Sequence, residues 1–137
     1  MSASDRAQTR ADAAPFTDEE IDRLVETFYA RIRQHHRLGP IFEAAVGENG
    51  WPQHLATLKD FWSSVLNTSG RYKGQPVTVH QHVEGLTEGL FTPWLNLFHQ
   101  TCVDLFDAPR AAIIGQKAER IARSLKLGLF FKPDAVA

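Results

Sequence analysis

An all-α fold of five or six helices, two of them short, is what this chain predicts, and three observations predict it. Apolar residues recur at helical spacing through most of its length. Strong helix starts stand at Thr17 and at Asp107-Ala108-Pro109. No segment alternates with period two for long enough to make a strand.

The elements follow in order. Residues 1–15 lack an apolar period and are expected to be a mobile tail, residues 16–131 a single domain, and residues 132–137 a C-terminal tail. Thr17 and Glu20 have the spacing of a capping box, and Phe16 and Ile21 that of a hydrophobic staple. Ile21, Leu24, Val25, Phe28 and Ile32 then share one face, until Gly39-Pro40 stops the pattern. Tyr29 lies at the edge of that face. Two readings of it stay open: a tyrosine at the core margin with its hydroxyl in water, or a hydroxyl aimed into a pocket.

Pro40-Ile41-Phe42 opens a short helical segment closed by Gly47-Glu48-Asn49-Gly50, and Pro52 suits the first turn of a second long helix running to about Leu66. His54, Leu58, Phe61 and Val65 form a stripe on it, flanked by Leu55 and Trp62. His54 heads an apolar face, as a structural or a functional histidine. Residues 67–76 read as a loop, and Pro76 starts a short helix expected to carry Val79, His80, Val83 and Leu86. His82 is about 200° around that helix from His80, so only one of the pair can face a pocket; His80 keeps the apolar company. Phe91, Trp94, Leu95, Phe98, Cys102 and Leu105 make a third long helix whose start Pro93 blurs. Ile114, Ala118, Ile121, Ala122 and Leu125 make the last, ending near Gly128.

Composition narrows the function. With 15 basic and 16 acidic residues the chain has a formal charge of −1 and no basic field for nucleic acid or an anionic membrane. No apolar run reaches 18 residues and the N-terminus lacks a signal-peptide core, so a cytoplasmic protein is expected. The one cysteine, Cys102, can form no internal disulfide and no Cys-x-x-Cys-His attachment site, so any haem must be held non-covalently. Its place on an apolar face argues for a core residue over a nucleophile. His35-His36 lacks the spacing of two metal ligands and reads as two cations at the negative end of the first helix. His99 reads as a solvent-facing neighbour of Phe98. Phosphate-binding glycine loops, a Gly-x-Ser-x-Gly elbow and a di-iron Glu-x-x-His pattern are missing.

Haem needs one axial nitrogen, an apolar slot and a distal side whose polarity sets the chemistry. His80 can supply the nitrogen. Phe28, Phe42, Phe61, Trp62, Phe91, Trp94 and Phe98 can supply the slot, and Tyr29, His54 and Trp94 the distal donors.

In their order along the chain these residues resemble a family. Phe28-Tyr29 followed by Leu38-Gly39-Pro40-Ile41-Phe42, Trp51-Pro52-Gln53-His54 followed by Phe61-Trp62, Tyr72-Lys73-Gly74-Gln75-Pro76 ahead of His80, and then Phe91, Trp94-Leu95, Leu97-Phe98 and Thr101 are similar to the truncated haemoglobins, most closely their third group. The resemblance spans about residues 16 to 128. It implies the two-over-two helical sandwich of a truncated globin and haem b as cofactor, with His80 the proximal ligand to iron and Phe42 stacked on the macrocycle. It further implies Tyr29, His54 and Trp94 as distal trio, Leu58 on the distal wall, and Phe61, Trp62 and Phe91 around the pocket. Arg71, Tyr72 and Lys73, just before the proximal helix, have two readings: contacts to the haem propionates, or a solvated turn, which is the simpler one.

The function implied is reversible binding of O2, and of CO or NO, at a donor-rich site, with NO or peroxide detoxification as associated chemistry. Because nothing in the chain binds a nicotinamide or flavin, turnover would require an external reductase. Two other readings stand beside this one: a haem-based gas sensor acting through a partner protein, and a haem-free helical protein whose histidines are structural.

Overall fold

The computed structural model describes residues 16–131, so the expectations for residues 1–15 and 132–137 lie outside the described residues. Six α-helices occur among them: α1 (Asp18–Gln34), α2 (Leu38–Val46), α3 (Trp51–Asn67), α4 (Pro76–His80), α5 (Phe91–Leu105) and α6 (Ala108–Phe130), with a 3-10 turn, Glu88–Leu90, leading into α5. The fold is all-α; no strand occurs among the described residues. α1 packs on α3 and α5, and α5 runs back along α6. The result is two crossed helix pairs, with α2 bound to α1 and the short α4 laid against α6.

Local chemistry explains the starts. Thr17 Oγ1 accepts the Glu20 amide at 3.1 Å while Glu20 Oε1 accepts the Thr17 amide at 2.9 Å, the reciprocal capping box. Asp107 Oδ1 accepts the Arg110 amide at 3.0 Å and so caps α6. The two caps are tied together: the Arg110 guanidinium reaches the Glu20 carboxylate at 2.7 and 2.8 Å and lies over the rings of Phe16 and Phe106. The apolar face of α1 is the centre of the core. Ile21, Leu24, Val25, Phe28 and Ile32 are all buried, against Phe98, Cys102, Ile114 and Ala118 of α5 and α6.

Several boundaries differ from the sequence reading, each for a definable reason. α1 ends at Gln34 rather than at Gly39-Pro40, because the imidazole of His35 caps the next helix: its Nδ1 accepts the amides of Arg37 and Leu38, both at 3.1 Å. An acceptor Nδ1 carries no proton, so His35 is not the cation the sequence suggested; burial, then the charges of His36 and Arg37, hold its pKa below the ordinary histidine value. Gly39-Pro40 sits in the first turn of α2, where proline's missing N–H leaves no bond unmade. Any Cβ at Gly39 would stand 2.7 Å from the carbonyl oxygen of Arg33, so only glycine lets α2 start this close to α1. α4 stops at His80, leaving Val83 and Leu86 in the following turns, and α6 continues to Phe130. Pro93 is likewise accommodated in the first turn of α5, without interrupting the helix.

Among the described residues, no helix is long and apolar enough to cross a membrane.

Candidate functional site

The crossing of the helix pairs leaves an apolar cavity of about 200 Å³. α1 contributes Tyr29 to its wall, α2 Leu38, Ile41 and Phe42, and α3 His54, Thr57, Leu58, Phe61 and Trp62. Tyr72, Pro76, Val79 and His80 close it from the loop and α4, and Phe91, Trp94, Ile121, Ala122 and Leu125 from α5 and α6. Ten of the fourteen residues singled out from the sequence line this one space: Tyr29, Phe42, His54, Leu58, Phe61, Trp62, Tyr72, His80, Phe91 and Trp94.

Arg71 and Lys73 do not line it. The Arg71 guanidinium is turned to the start of α1, 3.1 Å from Asp18 Oδ1, and Lys73 is exposed. Phe28 and Phe98, expected in the slot, stand one layer behind. Phe28 meets Tyr29 and Trp94 edge-on, and Phe98 is stacked between Trp62 and Trp94 with centroids 4.9 and 5.4 Å away. They hold the wall in place. The α6 residues Ile121, Ala122 and Leu125 were legible only as an apolar stripe. Nothing local distinguishes an apolar side chain facing a cavity from one facing a core.

His80 is set by its own helix. Its Nδ1 lies 2.6 Å from the carbonyl oxygen of Pro76, and since a carbonyl can only accept, the proton is on Nδ1 and Nε2 keeps its lone pair in the neutral ring. Gly128 lets α4 approach: a Cβ there would be 2.9 Å from the Val77 side chain. His82 is exposed, as expected, although it lies in the turn beyond the end of α4 and not on the helix itself.

His54 is half-buried, edge-on to both Tyr29 and Trp51 with centroids 5.7 and 5.5 Å away. Its Nε2 is buried and has no protein partner. Burial, and after it the charge of His80, lowers its pKa from the ordinary histidine value, so the imidazole is neutral near pH 7. Tyr29 is only 5% exposed, which resolves its two readings against a hydroxyl in open water. Burial drives its phenol well above the usual range, with a hydrogen bond from Trp94 opposing in part. Tyr72, edge-on to Phe61, is also raised by burial. The cavity thus combines an apolar wall with one imidazole prepared to give a lone pair, and a second imidazole, a phenol and an indole able to offer hydrogen bonds. Elsewhere, His99 is half-buried with Nε2 3.1 Å from Glu119, and burial pushes the Cys102 thiol up to about 12, leaving it unreactive. No group of three or more metal-ligating side chains occurs among the described residues.

Comparison with known proteins agrees with this geometry. No family model matches the chain. A curated relative, a group 3 truncated hemoglobin of Campylobacter jejuni, is 34% identical over 106 residues, which are 76% of this chain and 84% of the relative. The crystal structure of a group III truncated hemoglobin from Campylobacter jejuni superposes with a TM-score of 0.78 at 31% identity, covering 84% of this chain and 92% of the other.

Proposed function

The chain belongs to the truncated haemoglobins, in their third group, and on that premise we propose that it is a haem b protein that binds O2 and other diatomic ligands reversibly. The observation that carries the reading is the state of His80: a ring whose Nδ1–H is spent on Pro76 O at 2.6 Å presents an unprotonated Nε2 in an apolar cavity. A histidine that ligates a metal has its other nitrogen fixed in this way.

The residues fit the group. The wall is nearly all apolar and aromatic, as a porphyrin face requires, and the buried Nε2 of His54 lacks a protein partner that a ligand would supply. In this reading His80 would hold the iron, and Phe42, Phe61, Trp62 and Phe91 would enclose the macrocycle. The iron, when bound, supplies the ligand-binding chemistry. Tyr29 would donate a hydrogen bond to the ligand, Trp94 would do so by turning its single indole N–H from the Tyr29 oxygen, and His54 would bound the space in which the ligand sits, with Leu58 in the wall beside it. Tyr72, which lines the cavity from the loop, would border the macrocycle. Arg71 contributes to propionates only by leaving Asp18, and Lys73 only by folding inward from solvent.

A donor-rich ligand site slows release, which suits NO or peroxide detoxification better than oxygen transport. Electrons for such turnover would come from an external reductase, in the cytoplasm. The test is uptake: protein purified with haem, or titrated with it, is expected to show an intense Soret band at one haem per chain. A preparation that stays colourless after titration ends the reading and leaves the haem-free helical alternative.

A further inference from the structure

Three side chains outside the cavity converge behind His54. Glu43 of α2 accepts from Arg33 Nε of α1 at 2.6 Å through one carboxylate oxygen, and from the Trp51 indole N–H of α3 at 3.3 Å through the other. The Arg33 guanidinium lies 4.5 Å over the Trp51 ring, closing the triangle. Trp51 is 4% exposed and presents its ring to the two polar cavity residues, His54 at 5.5 Å and Tyr29 at 6.3 Å. His54 sits on the same helix, is half-buried, and forms part of the cavity wall. Its Nε2 is buried and makes no bond to protein. What restrains the imidazole is therefore ring packing between Tyr29 and Trp51.

We propose that Arg33, Glu43 and Trp51 are positioning residues that hold His54 against Tyr29 and thereby set the rate at which ligands enter the cavity. Glu43 is the keystone, because one carboxylate fixes both the cation and the indole. Neutralising it by a side chain that accepts nothing releases Trp51, and with it one of the two rings packed edge-on against His54. The imidazole then swings outward and the route past it widens. Entry accelerates, and because Tyr29 stays packed against Phe28 and Phe42, the donors that hold a ligand once inside change less. The proposal rests on the haem-binding reading given above.

The experiment is a double-mutant cycle on the haem-loaded protein, read by carbon monoxide recombination after flash photolysis. Glu43→Leu is expected to raise the bimolecular rate about two- to five-fold, the range set by partly exposed ion pairs, and Glu43→Gln, which keeps an acceptor for the indole, to restore most of the original rate. In a His54→Ala background Glu43→Leu is expected to change nothing further. An equal effect of Glu43→Leu in both backgrounds overturns the proposal, since the network would then act on the cavity without His54. Failure of haem uptake would instead sink the functional reading. The structural claim is read without haem from the nuclear Overhauser contact between the Trp51 and His54 rings: its weakening in Glu43→Leu is expected and its retention overturns the claim, and should Glu43→Leu not fold, Arg33→Leu is read in its place by the same criterion.

Discussion

His80 Nδ1 and the carbonyl oxygen of Pro76 are 2.6 Å apart, one turn from each other on a helix of five residues. The bond selects the tautomer of the ring and points its other nitrogen away from the helix backbone. His80→Ala is expected to abolish stable haem binding or make it dependent on added imidazole, whereas His82→Ala keeps the normal spectrum. Absorption spectra of the two variants decide it, and the reverse result would move the axial role to His82.

Tyr29→Phe removes a donor from a buried ring without changing its shape. A hydrogen bond to a charged acceptor is worth roughly 1.5–3 kcal/mol, about 10- to 150-fold in an equilibrium constant, so O2 release is expected to accelerate within that range. Carbon monoxide, which takes on less negative charge, is expected to leave at a rate much closer to wild type. Stopped-flow displacement measures both; an unchanged O2 rate would show that the phenol does not reach the ligand.

Glu20 joins two helix starts, and the Arg110 hydrogen bond, outweighing a burial penalty, lowers its pKa from 4.5 to about 2. A carboxylate depressed on folding adds stability above its unfolded pKa and loses it as pH falls through 4.5 toward 2. Glu20→Gln is expected to cost about 1–2 kcal/mol at pH 7, a charge-assisted bond discounted for solvent screening. The gap to wild type should close on acidification across that window. Urea titrations at several pH values test this, and a gap independent of pH would assign the loss to packing.

His35 caps α2 only while its Nδ1 is unprotonated. Its pKa is depressed on folding, so the unfolded chain takes up the proton first, and stability present above pH 6.5 is lost as pH falls below it. His54 adds to the same trend. His35→Asn supplies an amide oxygen that accepts without titrating, and is expected to flatten the dependence between pH 7 and 5. Thermal melts across that interval check it; an unaltered slope would leave His54 as its source.

Features written in a few adjacent residues were legible in the sequence. The Thr17 and Glu20 spacing gave the start of α1, Asp107 that of α6, and the apolar period gave the buried face of each long helix. The end of α1 was not legible, because it depends on an imidazole acting as an acceptor, and residue type does not reveal a tautomer. At the cavity the same division holds. His80 could be preferred to His82 from its apolar company, but the burial of Tyr29 depends on α2 and α3 closing over it. The pairing of Arg71 with Asp18 joins residues 53 positions apart, and no local pattern encodes it.

The stacked rings of Trp62, Phe98 and Trp94 carry an optical consequence. The chain has three tryptophans; Trp62 and Trp94 face the cavity and Trp51 abuts His54, so every indole emitter lies beside the same space. A chromophore seated there and absorbing in the near ultraviolet would drain the excited states of all three together. Intrinsic fluorescence is therefore a built-in gauge of occupancy: it should be bright when the cavity is empty and nearly dark when it is filled, with no dim population of distant tryptophan left to correct for.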